Sequence, residues 1–139
     1  LKRMVSKSPL LPAEEEIVMV KEILILTVMM DLLELEVRKL KTPQLGLKML
    51  HIYTRKLRGI QDQLPRELHR MQRELKARGV RIIETHRAKG QVKAHYLCRG
   101  YEYEMLLQGD TIKAEIEVKL AFHFSVDLTE EDRDRSDKT

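Results

Sequence analysis

Arg66, Arg70 and Arg73 recur at steps of four and three residues, the spacing that places side chains on one face of a helix. His69 and Lys76 flank them, while Leu64, Leu68, Met71 and Leu75 fall on the opposite side at the same period. A second basic group, Arg87, Lys89 and Lys93, surrounds Arg87-Ala88-Lys89-Gly90, which reads as a hairpin turn. The chemistry open to such residues is recognition of phosphate. Neutralising a nucleic-acid backbone releases counterions and drives binding without regard to sequence. Arginine can also read guanine through two parallel hydrogen bonds. The candidate nucleic-acid-binding set is therefore Arg66, His69, Arg70, Arg73, Lys76, Arg87, Lys89 and Lys93. The bland alternative is a solvated face, which is the usual fate of a basic helix surface.

Charge distribution argues against the bland reading. The net charge of the 139 residues is only +4. Residues 1–37 hold four basic and seven acidic side chains, net −3. Residues 38–99 hold seventeen and four, net +13, and residues 100–139 hold five and eleven, net −6. Fields follow from where charges sit rather than from their total. The main rival is neutralisation of the basic segment by the acidic end, or by an acidic partner protein.

Other chemistry finds little support. The histidines are His51, His69, His86, His95 and His123, with one cysteine, Cys98. His95-x-x-Cys98 is a weak metal pair, since on a strand these side chains point to opposite faces. A four-ligand zinc site needs more thiols or a clearer spacing. His86 and His95 could face one another across the hairpin. Glu102 and Glu104 flank Tyr103, but paired surface carboxylates need a pocket to act. The sequence has no phosphate loop, dinucleotide fingerprint, nucleophile elbow or two-histidine metal helix. No enzymatic activity, metal or cofactor is expected.

The elements that would position these residues are mostly helical. A first helix is predicted over 12–41, opened by Pro12 and by Glu14, Glu15 and Glu16 at its positive end, and closed before Thr42-Pro43. It is apolar nearly all round from Ile17 to Leu35, so it is either the centre of the domain or shared with a second subunit. Dimerisation through residues 17–35 is the favoured reading, because only about a hundred residues remain to cover it. Lys21, Glu22, Asp31 and Glu34 interrupt the apolar run, which argues against a membrane span. A helix pair follows over 44–79, the first member from about Leu45 to Arg58 and the second from about Pro65 to Arg78, with Gly79 as a cap. Residues 80–99 read as a β-hairpin, with Val92, Ala94, Tyr96 and Cys98 on its apolar side. The element over 101–126 is ambiguous. Apolar residues alternate strictly from Ile112 to Phe124, a strand signal, yet Tyr101, Met105, Ile112, Ile116, Leu120 and Phe124 also form a helical stripe. Residues 1–126 form one domain on this reading, and 127–139 a disordered polar tail.

Leu68, Met71, Leu75, Gly79, Val80 and Ile82, a wing tip around Gly90, and Tyr96-Leu97-Cys98-Arg99 before Gly100 together carry a resemblance. Over residues 64–100 the chain resembles the winged helix-turn-helix DNA-binding family of MarR and PadR type. The segment from Gly59 to Leu64 departs from it, being longer than the usual turn of about 3–4 residues. The resemblance implies that helix 65–78 enters the major groove, that the hairpin tip touches the backbone, and that helices outside the module make a dimer.

The fold class expected is α+β, mostly helical and winged-helix-like. The function expected is that of a dimeric transcriptional regulator binding double-stranded DNA. The alternative is a protein-interaction or scaffold module without nucleic-acid contact. A lone thiol and no signal-peptide pattern point to the cytoplasm, with no membrane partner.

Overall fold

The computed structural model describes residues 11–129. The first helix, α1, covers Glu14–Leu40. Its start is fixed by Glu16, whose Oε1 accepts the Ala13 N–H at 2.9 Å while the Glu16 N–H donates to the Ala13 carbonyl. Its end falls at Lys41, where Thr42-Pro43 begins a single 3-10 turn over Pro43–Leu45. Gly46, in the left-handed region at φ 59°, reverses the chain.

The second helix, α2, runs unbroken over Leu50–Ala77 with Pro65 inside it. The break expected between Gly59 and Pro65 does not exist, and neither does the predicted pair of helices. The reason is packing. Leu57, Ile60, Leu64, Met71 and Leu75 are all buried, and they follow one another on a single stripe through the proline. Each buried aliphatic side chain contributes roughly 1.5–3 kcal/mol. The glycine and the proline together cost about 4 kcal/mol, so the continuous stripe wins. Polar contacts reinforce it just before the proline. Arg58 donates to Glu34 Oε1 on α1 at 2.7 Å, and Gln61 donates to the same oxygen at 3.1 Å. At the other end Arg78 donates to Glu15 at 2.8 Å, so the two helices lie antiparallel.

Gly79, at φ 79°, turns the chain into a three-stranded antiparallel meander of order β1-β2-β3. The strands are β1 (Val80–Ala88), β2 (Gln91–Cys98) and β3 (Tyr101–Gln108). Along β2, Val92, Ala94, Tyr96 and Cys98 are buried, as their alternation predicts. Across the strands Ile82, Tyr96 and Tyr103 stand in register, and the two tyrosine rings stack at 5.8 Å. The register slips between Ile82 and Glu84, where Ile83 is the extra residue of a bulge. The third strand is not part of the hairpin predicted over 80–99. Its Tyr-Glu-Tyr-Glu alternation is a strand signal that a helical stripe through Tyr101 and Met105 masks.

The last helix, α3, covers Gly109–Phe124 and settles the ambiguity over residues 111–126. On a helix two steps turn about 200°, so strict alternation makes two opposite apolar stripes. Ile112 and Ile116 face inward and are buried, whereas Val118 and Phe122 face out. Gly109 starts the helix against the hairpin tip, donating its N–H to the Gly90 carbonyl at 2.7 Å. A Cβ on Gly109 would meet that carbonyl oxygen at 3.2 Å. Ion pairs Lys21–Glu115 and Lys119–Glu22 fasten α3 to α1.

The core lies around α1. Val20, Ile25, Met29, Leu33 and Val37 are wholly buried by the chain's own α2, α3 and sheet. The premise that too little chain remains to cover this helix is therefore overturned, and subunit contacts through residues 17–35 lose their basis. Of the large apolar residues in that stretch, only Ile17, Val18 and Leu35 are exposed. The tail expected over 127–139 lies outside the described residues beyond Thr129.

Candidate nucleic-acid interface

Joining two predicted helices into one lengthens the basic face. Arg55, Arg66, Arg70 and Arg73 lie along the side of α2 away from its buried stripe, and all are exposed. The distance from Arg55 to Arg73 along the axis is about 27 Å. His69 and Lys76 are exposed beside them. Among the described residues these four arginines and Lys76 make no ion pair. Arg58 on the same helix and Arg78 at its C-terminal cap are spent on Glu34 and on Glu15 and Glu74. One carboxylate, Asp62, is exposed on the basic side of the helix. Sequence reasoning missed Arg55 because a break after Arg58 hid its continuity with Arg66; the signal was its spacing of eleven residues, close to three turns.

The hairpin cations do not join this face as one group. Arg87 pairs in register with Val92 on the side of the sheet turned toward the helices, and it bonds Asp31 Oδ2 of α1 at 2.7 Å. Lys93 stands opposite His86 on the other side of the sheet. Lys89 is exposed in the turn between β1 and β2. The single basic prong expected from Arg87, Lys89 and Lys93 is thus split by the strand alternation, which sends Arg87 and Lys93 to opposite faces.

The histidines of the sheet are engaged by carboxylates. Glu84, His95 and Glu104 share one cross-strand row, with His95 Nε2 3.3 Å from Glu104. His86 pairs with Glu84 of its own strand. His86 faces Lys93 rather than His95. Among the described residues no group of three or more His, Cys, Asp or Glu is arranged to hold a metal ion.

A half-buried ionic knot, also missed from sequence, anchors the base of the sheet. Arg99 donates from Nη1 to Glu16 Oε2 at 3.1 Å and from Nη2 to Oε1 at 3.0 Å. It also donates to the carbonyls of Arg78 and Leu11, each at 2.8 Å. Arg99 sits at φ 51°, a conformation few non-glycine residues adopt, at the first position of the β2–β3 turn. Gly100 follows at φ 92°, so both turn residues have positive φ, as the tightest hairpins require. The Arg99 hydrogen bonds and charge hold the Glu16 carboxyl below its ordinary range, against the opposing effect of burial. Burial pushes the neighbouring Cys98 thiol up, so it is no activated nucleophile. Glu34 is lowered to about 2, chiefly by its hydrogen bonds from Arg58 and Gln61.

A cleft of about 500 Å³ opens between α1, the hairpin tip and α3. Val28, Leu32, Ile112, Ile116 and Leu120 form its apolar floor.

The chain is thus a mostly helical α+β domain, its helices covering one face of an antiparallel meander and one of them presenting a long basic side. The order of helices before an antiparallel ribbon is compatible with a winged-helix-like arrangement. The chain belongs to the YhjD protein family, whose model matches residues 11–128. No curated protein and no solved structure matches it. No helix among the described residues is long and apolar enough to cross a membrane.

Proposed function

We propose that this protein binds the phosphate backbone of nucleic acid along the outer face of α2, with duplex DNA as its first target. The observation that carries the reading is the run of Arg55, Arg66, Arg70 and Arg73 on one exposed side, free of ion pairs among the described residues. Helix α2 holds seven Lys or Arg and three Asp or Glu. A rigid helix spaces its cations at fixed intervals, so they meet a row of phosphates with little further ordering. The resemblance of residues 64–100 to winged-helix domains supports duplex DNA as the probe. It does not supply the recognition helix, since α2 has no turn before Pro65.

Fluorescence anisotropy with a labelled duplex tests the reading across a salt series. The slope of log K against log salt falls by about 0.9 for each phosphate contact removed. Replacing Arg66, Arg70 and Arg73 with alanine then flattens the slope by about 2.7. No salt-dependent binding of duplex or single strand, or an unchanged slope in that variant, removes the proposal.

A second reading, a protein-interaction module, is favoured by the outward stripe of α3, where Val118 and Phe122 are 60% and 82% exposed. In that case no nucleic acid binds, and Phe122→Ser abolishes partner capture without altering the fold.

A further inference from the structure

The turn joining α1 to α2 is basic and apolar at once. Residues 37–61 contain seven Lys or Arg and not one Asp or Glu. Two of the seven, Arg38 and Arg58, bond Glu34. Lys39, Lys41, Lys48, Arg55 and Lys56 remain exposed, with no ion pair among the described residues. Leu45, Met49, Ile52 and Tyr53, in the same stretch, are each about half exposed. Met49, Ile52 and Tyr53 fall on one helical turn, as the backbone bonds from Ile52 and Tyr53 to Met49 require. Phe124 adds to this patch from α3, with Lys56 Nζ 5.5 Å from its ring centroid.

A patch of this kind is solvated at a standing cost, since large side chains are exposed together rather than singly. We propose that the α1–α2 tip docks on an anionic lipid bilayer, seating Leu45, Met49 and Ile52 among the acyl chains at headgroup depth. Lysines 39, 41 and 48 then contact lipid phosphates. Charge complementarity selects the occupant's sign, because nothing acidic interrupts residues 37–61. Shape selects a bilayer. The tip is the convex end of a helical hairpin, which enters a deformable surface without a matching cavity. A nucleic-acid backbone would satisfy the lysines but would leave the apolar side chains in water. Binding of this kind is peripheral and involves no span, and it departs from the sequence-based expectation of no membrane partner, which rested on the absence of a spanning segment.

The two surfaces on α2 are separable. Arg66 lies about 16 Å along the axis from Arg55, beyond the screening length of about 8 Å at roughly 0.15 M salt. Arg55 is common to both and is left unaltered in every variant.

Co-sedimentation of the full chain with vesicles of phosphatidylcholine, with and without phosphatidylglycerol, tests the proposal. The wild type pellets with the anionic vesicles and not with the zwitterionic ones. One lysine near an anionic surface strengthens binding about fivefold. Lys41→Glu with Lys48→Glu therefore weakens it at least about thirtyfold. Met49→Ser with Ile52→Ser weakens it at least about tenfold. The alanine triple variant at Arg66, Arg70 and Arg73 binds as the wild type does, while losing its duplex affinity. All four tip residues are exposed, and thermal melts matching the wild type establish that the variants fold. The chain contains no tryptophan, so Ile52→Trp provides a sole reporter, its emission moving to the blue on anionic vesicles. No binding to anionic vesicles overturns the proposal, as it would if the tip's partner were an acidic protein. Equal binding to both vesicles, undiminished binding by the tip variants, or unshifted emission also overturns it.

Discussion

Arg99 grips Glu16 with both terminal nitrogens of its guanidinium, across 83 residues of sequence. The pair ties the start of α1 to the β2–β3 turn, and the carbonyl of Arg78 brings the end of α2 into the same knot. Glu16 is buried while Arg99 stays partly open to solvent, so the pair is a modest source of net stability but is costly to break from the arginine side, which would leave the carboxylate without its donors.

Glu16→Gln or Arg99→Lys is expected to destabilise the fold by about 1–3 kcal/mol, since Glu16 is buried but the guanidinium is partly open to solvent. Lysine keeps the charge and loses the fork, so it does not rescue. Urea denaturation measures the change. A loss below 1 kcal/mol in both variants would mean that water, not Arg99, solvates Glu16.

Glu16 and Glu34 are both held below the ordinary carboxylate value of 4.5. A group with a depressed folded value adds stability that is fully present above its unfolded value. That stability is lost as pH falls through the folded value. The window for Glu34 runs from about 4.5 down to about 2. Thermal melts across this range should decline in the wild type and decline less in Glu34→Gln. Parallel curves would contradict the Arg58–Glu34–Gln61 cluster.

Gly59 and Pro65 test the continuity of α2. A Cβ at Gly59 meets nothing within 4 Å, and its backbone is not left-handed. Gly59→Ala should stabilise by about 1 kcal/mol and Pro65→Ala by up to about 3 kcal/mol. A turn at this place would give the opposite sign for the glycine. Denaturant midpoints decide between them.

Arg87 should behave differently from the helix arginines. Arg87→Ala breaks the exposed bond to Asp31, and stability falls by no more than about 1 kcal/mol. Duplex affinity stays as in the wild type, because Arg87 faces the protein's own helix. A tenfold loss of duplex binding in Arg87→Ala would restore the hairpin to the interface.

Cys98 is fully buried. Its alkylation by iodoacetamide should be slow in the native protein and should track opening of the fold as denaturant rises. Rapid labelling in buffer would place the thiol at the surface.

Much of the framework was legible from sequence, and the reasons differ by element. The buried side of β2 followed from alternation alone, because one face is covered and the other is half open. Helix α1 was legible in extent but not in role, since a helix apolar nearly all round its middle gives no sign of whether its own chain or another covers it. The α2 break was misread because Gly59 and Pro65 are local signals, whereas the stripe from Leu57 to Leu75 acts through tertiary packing. Arg66, Arg70 and Arg73 were placed correctly on an exposed face. Arg87 was not, because its side of the sheet follows the bulge at Ile83 on β1, whereas Lys93 lies on β2 and simply alternates with buried Val92. The Glu16–Arg99 knot left no sequence signal beyond a glutamate in the first turn of a helix and an arginine before a glycine.

The span between Glu16 and Arg99 also bears on the order in which the molecule can be completed during its synthesis. Ribosomes add about 5–20 residues per second, so roughly 4–17 s separate the emergence of the carboxylate from that of its guanidinium. During that interval the cation that can face Glu16 is Arg78, whose guanidinium lies 3.8 Å from its carboxylate in the finished fold. Helix α3, which pairs with Lys21 and Glu22 near the same end of α1, emerges later still, so the first turns of α1 are not fully enclosed until the last helix has left the exit tunnel.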